Sequence, residues 1–346
     1  MHAVLYHRFG EVPTWETVVD PSATPDGAVI RVEATGLCRS DWHGWMGRDP
    51  DLRSLPHVPG HEFAGVVEAV GSEVRNDLVG RRVTMPFVAG CGTCPECVGG
   101  NQQVCDHQFQ PGFTAWGSFA EFVAVRYADG NLVPLPDEMP SVVAASLGCR
   151  MATAYRAVAV QGAVKPGMWL AVYGCGGVGL SAVMIGVALG AKVIAVDVRP
   201  EPLALAKQLG AESMINGEEI ADIPAAIHEL TGRGADVSLD ALGSPETFAD
   251  AIFSLRKRGR HVQVGLLTEA KSLPSSCLSR LIGWELEVAG SHGMQAHVYP
   301  ELFQLIEAGK IDPGQLVDRV LPLKDAPQEL ASMSDYCGCG VTIFEP

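Results

Sequence analysis

Short runs of alternating apolar and polar residues dominate the first 150 positions. AVIRVEATG (28–36), FAGVVEAVG (63–71), RRVTMPF (81–87) and SFAEFVAV (118–125) are bounded by Gly, Pro or Asp. That pattern predicts strands of a compact antiparallel fold. Near Met151 the rhythm changes. The strand-like runs LAVYG, KVIAVD, SMIN, DVSLD, HVQVGL and LEVAGS follow, and helical patterns over 202–209, 223–230 and 248–258 fall between the first five. Six strands linked through helices are the content of a doubly wound parallel sheet. The tail from Gly293 predicts one helix, YPELFQLIEAG, and then short strands. The expected division is a β-rich region over 1–150, an α/β domain over 151–291 and a return segment over 292–346.

One stretch invites a different reading. WLAVYGCGGVGLSAVMIGVALGA (169–191) carries no charge over 23 residues, enough to cross a bilayer. A glycine cluster interrupts it after five residues, so it reads as a buried strand followed by a buried helix. The remaining composition is that of a globular chain of 346 residues, 47% of them hydrophobic. With 40 acidic and 25 basic residues the formal net charge is −15, which opposes binding to nucleic acid and to anionic membrane surfaces. The N-terminus MHAVLYHRFG has no signal-peptide pattern, so a cytoplasmic location is expected. In a reducing compartment clustered cysteines more often hold metal than form disulfides.

GCGGVG (174–179) reads G-x-G-x-x-G between a strand and an apolar helix, and Asp197 ends the next strand. The first glycine permits a tight turn, the second a close approach of pyrophosphate, and the third close packing of helix on strand. Asp197 suits the adenosine ribose hydroxyls and repels a 2′-phosphate, which favours NAD over NADP. Arg199, two residues on, keeps NADP open. CGTCPECVGGNQQVC (91–105) spaces Cys91, Cys94, Cys97 and Cys105 as C-x2-C-x2-C-x7-C. A ferredoxin run would need its fourth cysteine at the position of Asn101. Four thiolates suit a closed, structural zinc site, with a redox dithiol as the alternative. Cys38, His61 and Cys149 stand in Gly-flanked stretches, GLCRSDWH, GHEFAG and LGCRMATAY. Two Cys and one His would leave a zinc ion with one open position, the make-up of a catalytic site. The bland reading of each alone is a packed thiol or a structural histidine.

Taken together, GLCRSDWH, PGHEFAGVV, CGTCPECVGGNQQVC, GCRMATAY, GCGGVGL and the Asp197 strand end resemble the zinc-dependent medium-chain alcohol dehydrogenases, over essentially the whole chain. The resemblance implies a GroES-like β-rich catalytic domain, with a structural-zinc lobe near 88–108, and a Rossmann domain, with the active site in the cleft. It implies Cys38, His61 and Cys149 as catalytic-zinc ligands, and Cys91, Cys94, Cys97 and Cys105 as structural ones. It implies a proton relay through Ser40 and His43, Asp41 behind His61, and Glu62 behind the metal as a transient ligand. Arg39 would contact the cofactor pyrophosphate. Gly174, Gly176, Gly177, Val178, Gly179, Asp197, Arg199, Val264, Leu266 and His292 would complete the cofactor site. Phe87 resembles a substrate-channel position, and Trp116 lies where relatives place pocket residues, with core packing as its alternative. For His43 the alternative is a surface histidine beside Trp42 and Trp45.

The implied reaction is zinc- and NAD-dependent hydride transfer between a small-molecule alcohol and its aldehyde or ketone. Aromatic residues around the implied pocket favour bulky primary alcohols, aromatic or allylic. Polyol or secondary-alcohol oxidation is the alternative, as is a zinc-free enone or quinone reductase on the same fold. Outside enzymes, an NAD-responsive binding protein or a zinc-ribbon nucleic-acid module would use some of these features, but the net charge opposes the latter. The resemblance also implies a homo-oligomer, a tetramer rather than a dimer. Cys175, Cys277, Cys337 and Cys339 carry no assignment.

Overall fold

A computed structural model describes residues 1–52, 54–267, 274–334 and 339–346; Cys337 lies outside them. The chain divides into two compact units. Met1–Ala152, Gly293–Phe303 and Pro313–Pro346 form the first, and Thr153–His292 with Gln304–Asp312 form the second.

The first unit is organised by the ten-residue strand Ala28–Leu37. It pairs antiparallel with Phe63–Val70 along most of its length. Phe122–Val125 pairs with its first residues and Val341–Glu345 with its last. The sheet continues through Arg82–Thr84 to Val133–Pro134 on one side, and through Val341–Glu345 to Val317–Pro322 on the other. Ile30, Val32, Phe63, Val67, Val83, Met85 and Val123 fill the core beneath it. Burying each such side chain contributes about 1.5–3 kcal/mol. The antiparallel pair His2–Leu5 and Thr14–Thr17 was not foreshadowed by the pattern. Its inward residues Val4 and Leu5 join Trp42, Trp45 and Phe344 in a second cluster.

The second unit is a wholly parallel six-stranded sheet. Its spatial order is Ser213–Asn216, Lys192–Asp197, Trp169–Tyr173, Ala235–Asp240, Leu255–Gln263 and Glu287–Gly290. Counted along the chain this is 3-2-1-4-5-6, the doubly wound order expected of six strands linked through helices. The uncharged stretch resolves into the strand Trp169–Tyr173 and the helix Gly177–Ala188, most of which is buried. No helix among the described residues is long and apolar enough to cross a membrane.

One predicted element is corrected. The helix expected over 248–258 runs over Pro245–Phe253, and the next strand starts at Leu255. Ser244 accepts a hydrogen bond from the Thr247 N–H at 3.1 Å, with Pro245 at the first helical position, so the helix starts early. It ends because buried Leu255 pairs with Ala235 in the sheet, while Arg258 takes a left-handed φ of 59°.

The glycine loop packs closely on itself. Gly174 has φ 86°, and a Cβ on Gly179 would lie 1.7 Å from the Gly174 carbonyl oxygen. That contact is with backbone, which cannot swing aside. Gly179→Ala is therefore expected to destabilise the protein by about 3 kcal/mol or more, lowering the thermal midpoint in a calorimetric scan. An unchanged midpoint would show that the loop relaxes freely.

Candidate active site and metal centres

Strand pairing brings the first two candidate ligands together. Thr35 stands opposite Phe63, and the Gly36 N–H donates to the Glu62 carbonyl at 2.8 Å. Cys38 therefore leaves the end of one strand where His61 enters its neighbour. Cys149 arrives from the turn Leu147–Met151, which the Phe87 N–H ties down at the Gly148 carbonyl, 3.0 Å away. The three side chains are buried, and one ligating atom from each lies within 4.8 Å of the others.

Asp41 fixes this geometry from behind. It sits in the first turn of the helix Arg39–Trp45. Its Oδ2 accepts the Cys38 N–H, and its Oδ1 accepts the Gly60 N–H and His61 Nδ1, each at 2.9 Å. With Nδ1 engaged, His61 Nε2 is the free position. It meets no hydrogen-bond partner, and the Cys38 and Cys149 sulfurs lie within 4.8 Å of it. Burial opposes charge on His61, but Asp41 and Cys38 outweigh it and hold the ring well above its ordinary pKa. A hydrogen bond from Cys149 holds the Cys38 thiol well below the usual range. Its counterpart and burial push Cys149 well above it. Two buried sulfurs beside an imidazole nitrogen without a hydrogen-bond partner are the donor set a divalent cation with one open position would take.

Glu62 lies behind the tripod. Burial raises its carboxyl to about 7, against the pull of Arg150. Its Oε1 accepts the Arg150 N–H at 2.8 Å, the Cys149 N–H at 3.2 Å and Arg150 Nε at 3.2 Å, while Arg150 Nη2 pairs with Oε2. Arg150 carries no expectation from the sequence. Its position beside Cys149 was the available signal.

The other four cysteines form a separate cluster, again within 4.8 Å. Cys94 and Cys105 sulfurs are 3.7 Å apart and those of Cys91 and Cys97 are 4.0 Å apart, well beyond the roughly 2.05 Å of a disulfide. The N–H groups of Cys94, Cys97 and His107 point at the sulfurs of Cys91, Cys94 and Cys105. The thiols differ in their surroundings. Burial opposes ionisation of Cys91, but hydrogen bonds from Thr93 and Cys94 bring it to about 6. Burial and its neighbours push Cys97 up to about 12. The four sulfurs and their N–H donors fit one tetrahedral ion with no position left for a substrate.

The remaining candidates divide between the units. In the first, Ser40 Oγ lies 3.9 Å from the Cys38 sulfur. His43 stands edge-on to Trp42 at 5.2 Å, and burial, Arg39 and Arg48 lower its pKa. Arg39 stacks over Trp42 at 4.1 Å and donates to the Met333 carbonyl. Phe87 meets His61 at 6.1 Å between ring centroids, and Phe113 meets it at 4.9 Å. Phe113 was missed; it lies three residues before Trp116, which is exposed and donates its indole N–H to the Pro56 carbonyl. In the second unit, Gly174, Asp197, Val264, Leu266 and His292 all follow or end parallel strands at their carboxyl edge. A Cβ on Gly176 would meet nothing within 4 Å, so the loop leaves open space there, next to Gly177 and Val178 at the start of the helix. Asp197 accepts the Cys175 N–H at 2.7 Å and the Arg199 N–H at 2.9 Å.

Similarity to known proteins covers both units. Residues 24–137 match the family model described as the alcohol dehydrogenase GroES-like domain, and residues 177–308 that of the zinc-binding dehydrogenases. An alcohol dehydrogenase of Geobacillus stearothermophilus is 36% identical over 275 residues, covering 79% of this chain and 80% of its own. A NAD-dependent alcohol dehydrogenase of Sulfurisphaera tokodaii is 32% identical over 100% of both chains. The solved alcohol dehydrogenase from Thermus sp. ATN1 superposes with a TM-score of 0.89 at 31% identity, covering 100% of this chain and 99% of that one. Sequence, fold and relatives agree over the full length: this chain belongs to the zinc-dependent medium-chain alcohol dehydrogenase family.

Proposed function

We propose that the protein is a zinc- and NAD-dependent alcohol dehydrogenase whose substrate is a bulky primary alcohol, aromatic or allylic. The observation that carries this reading is the buried tripod of Cys38, His61 and Cys149 with an unsatisfied Nε2, beside the rings of Phe87 and Phe113. When bound, zinc at the tripod supplies Lewis acidity to a substrate hydroxyl, and NAD supplies the hydride acceptor.

The chain's own residues then have distinct tasks. Asp41 holds His61 in the tautomer that leaves Nε2 free. Ser40 would accept the hydroxyl proton while releasing its own toward His43, and His43, whose pKa burial, Arg39 and Arg48 lower, would hand it on to solvent. Phe87 and Phe113 offer apolar faces to a bulky substituent and exclude water. The open space at Gly176 would leave room for the cofactor pyrophosphate. Asp197 binds the ribose diol of NAD. The four-cysteine lobe holds a second, structural zinc.

Four measurements test this. In a steady-state assay with NAD or NADP and benzylic, allylic, linear, secondary and polyol alcohols, the benzylic and allylic substrates should give the highest kcat/KM with NAD. Cys38→Ser should lower turnover by more than about 100-fold; equal activity of the variant would remove the tripod from the reaction. Asp197→Ala should raise the KM for NAD by about 10-fold or more and narrow its advantage over NADP, because charged hydrogen bonds contribute about 1.5–3 kcal/mol. An unaltered cofactor ratio would take Asp197 out of the specificity. Arg48→Gln removes a positive neighbour, so the His43 pKa should rise. Since only the neutral ring accepts a proton, the acid limb of kcat/KM should move to higher pH. A limb that stays put would exclude His43 from the relay.

A further inference from the structure

The proposed reaction leaves Arg150 without a task, yet it is buried against the tripod. Its Nη1 donates to the Leu37 carbonyl at 2.7 Å, its Nε donates to Glu62 Oε1 at 3.2 Å, and its Nη2 pairs with Glu62 Oε2. The backbone N–H groups of Cys149 and Arg150 donate to the same Glu62 oxygen. Leu37 precedes Cys38, Glu62 follows His61, and Arg150 itself follows Cys149. One guanidinium therefore ties together the chain neighbours of all three tripod residues. The space around it is exact in size: a Cβ on Gly36 would come within 2.7 Å of Nη2 and 3.0 Å of Glu62 Oε2.

A buried ion pair is a poor source of stability, because desolvation offsets most of its attraction. What this one supplies is direction. A guanidinium is planar and presents its donors in a fixed fork. A lysine ammonium in its place could not reach the Leu37 carbonyl and both Glu62 oxygens in one plane.

We propose that Arg150 is a positioning residue that presets the Cys38–His61–Cys149 tripod for its metal, holding three chain segments in register through Leu37 and Glu62. It acts on the ligands' backbones and touches no reacting atom. The inference rests on the tripod being a metal site, as proposed above.

The test uses the full chain loaded with zinc or with cobalt(II). Wild type should hold two metals per chain. Arg150→Lys should keep the four-cysteine metal and release the tripod metal to a chelating dye at least about 10-fold faster, the scale at which outer partners act on metal affinity. Its cobalt form should show an altered thiolate-to-cobalt absorption band. Glu62→Gln should accelerate release similarly, and the double variant should be no faster than the worse single one, since both break one clamp. Gly36→Ala, which leaves both partners in place but crowds the guanidinium, should act in the same sense and carries the reading if Arg150→Lys does not fold. One metal per wild-type chain, held only by the four-cysteine lobe, would overturn the tripod reading and the clamp with it. Two metals in wild type, with wild-type release and spectrum in the variants, would overturn the clamp alone. Additive losses in the double variant would do the same.

Discussion

The antiparallel pairing of Ala28–Leu37 with Phe63–Val70 is the constraint on which the first unit depends. It sets the core, because Ile30, Val32, Phe63 and Val67 meet under it. It also sets the site, because its register puts Thr35 opposite Phe63 and so delivers Cys38 and His61 to one end of the pair. A slip of one residue would turn each inward side chain outward and would separate the two candidate ligands in the same movement. Core and chemistry are thus bound to one register, and the sheet cannot drift without losing both.

Around that pair the buried groups form a chain of mutual dependence. Asp41 engages two N–H groups and one imidazole, His61 faces sulfur, and Glu62 is met by Arg150 and two further N–H groups. Each buried charge has partners that water would otherwise supply, as a low-dielectric interior demands. The exception is Nε2, which has no hydrogen-bond partner and lies within 4.8 Å of the Cys38 and Cys149 sulfurs, and there a positive charge belongs.

Much of this arrangement was legible in the chain because it is written in spacing. The cysteines of 91–105 and the glycines of 174–179 are local patterns, and local patterns survive without coordinates. The alternating strands and the parallel series were legible for the same reason. What escaped is non-local or ambiguous. Arg150 adjoins Cys149, but nothing near it states that its guanidinium reaches Leu37. Phe113 lies in a loop with other aromatic residues, and only folding shows which of them faces His61. RKRG (256–259) suits the polar face of a helix as well as a break in a strand; Leu255 decides the matter by pairing with Ala235, and the pairing shifts register before Arg260. Tertiary pairing overrode local preference there.

The two cysteine clusters differ in how far the chain must travel to make them. Cys91 and Cys105 are 14 positions apart, whereas 111 positions separate Cys38 from Cys149. Closing the longer span costs about 2 kcal/mol more in chain entropy. The short cluster can gather its sulfurs as soon as its own segment has emerged from synthesis. The tripod must wait for both strands of the central pair and for the turn that carries Cys149. Occupancy of the first therefore reports on a finished lobe, and occupancy of the second on a finished unit.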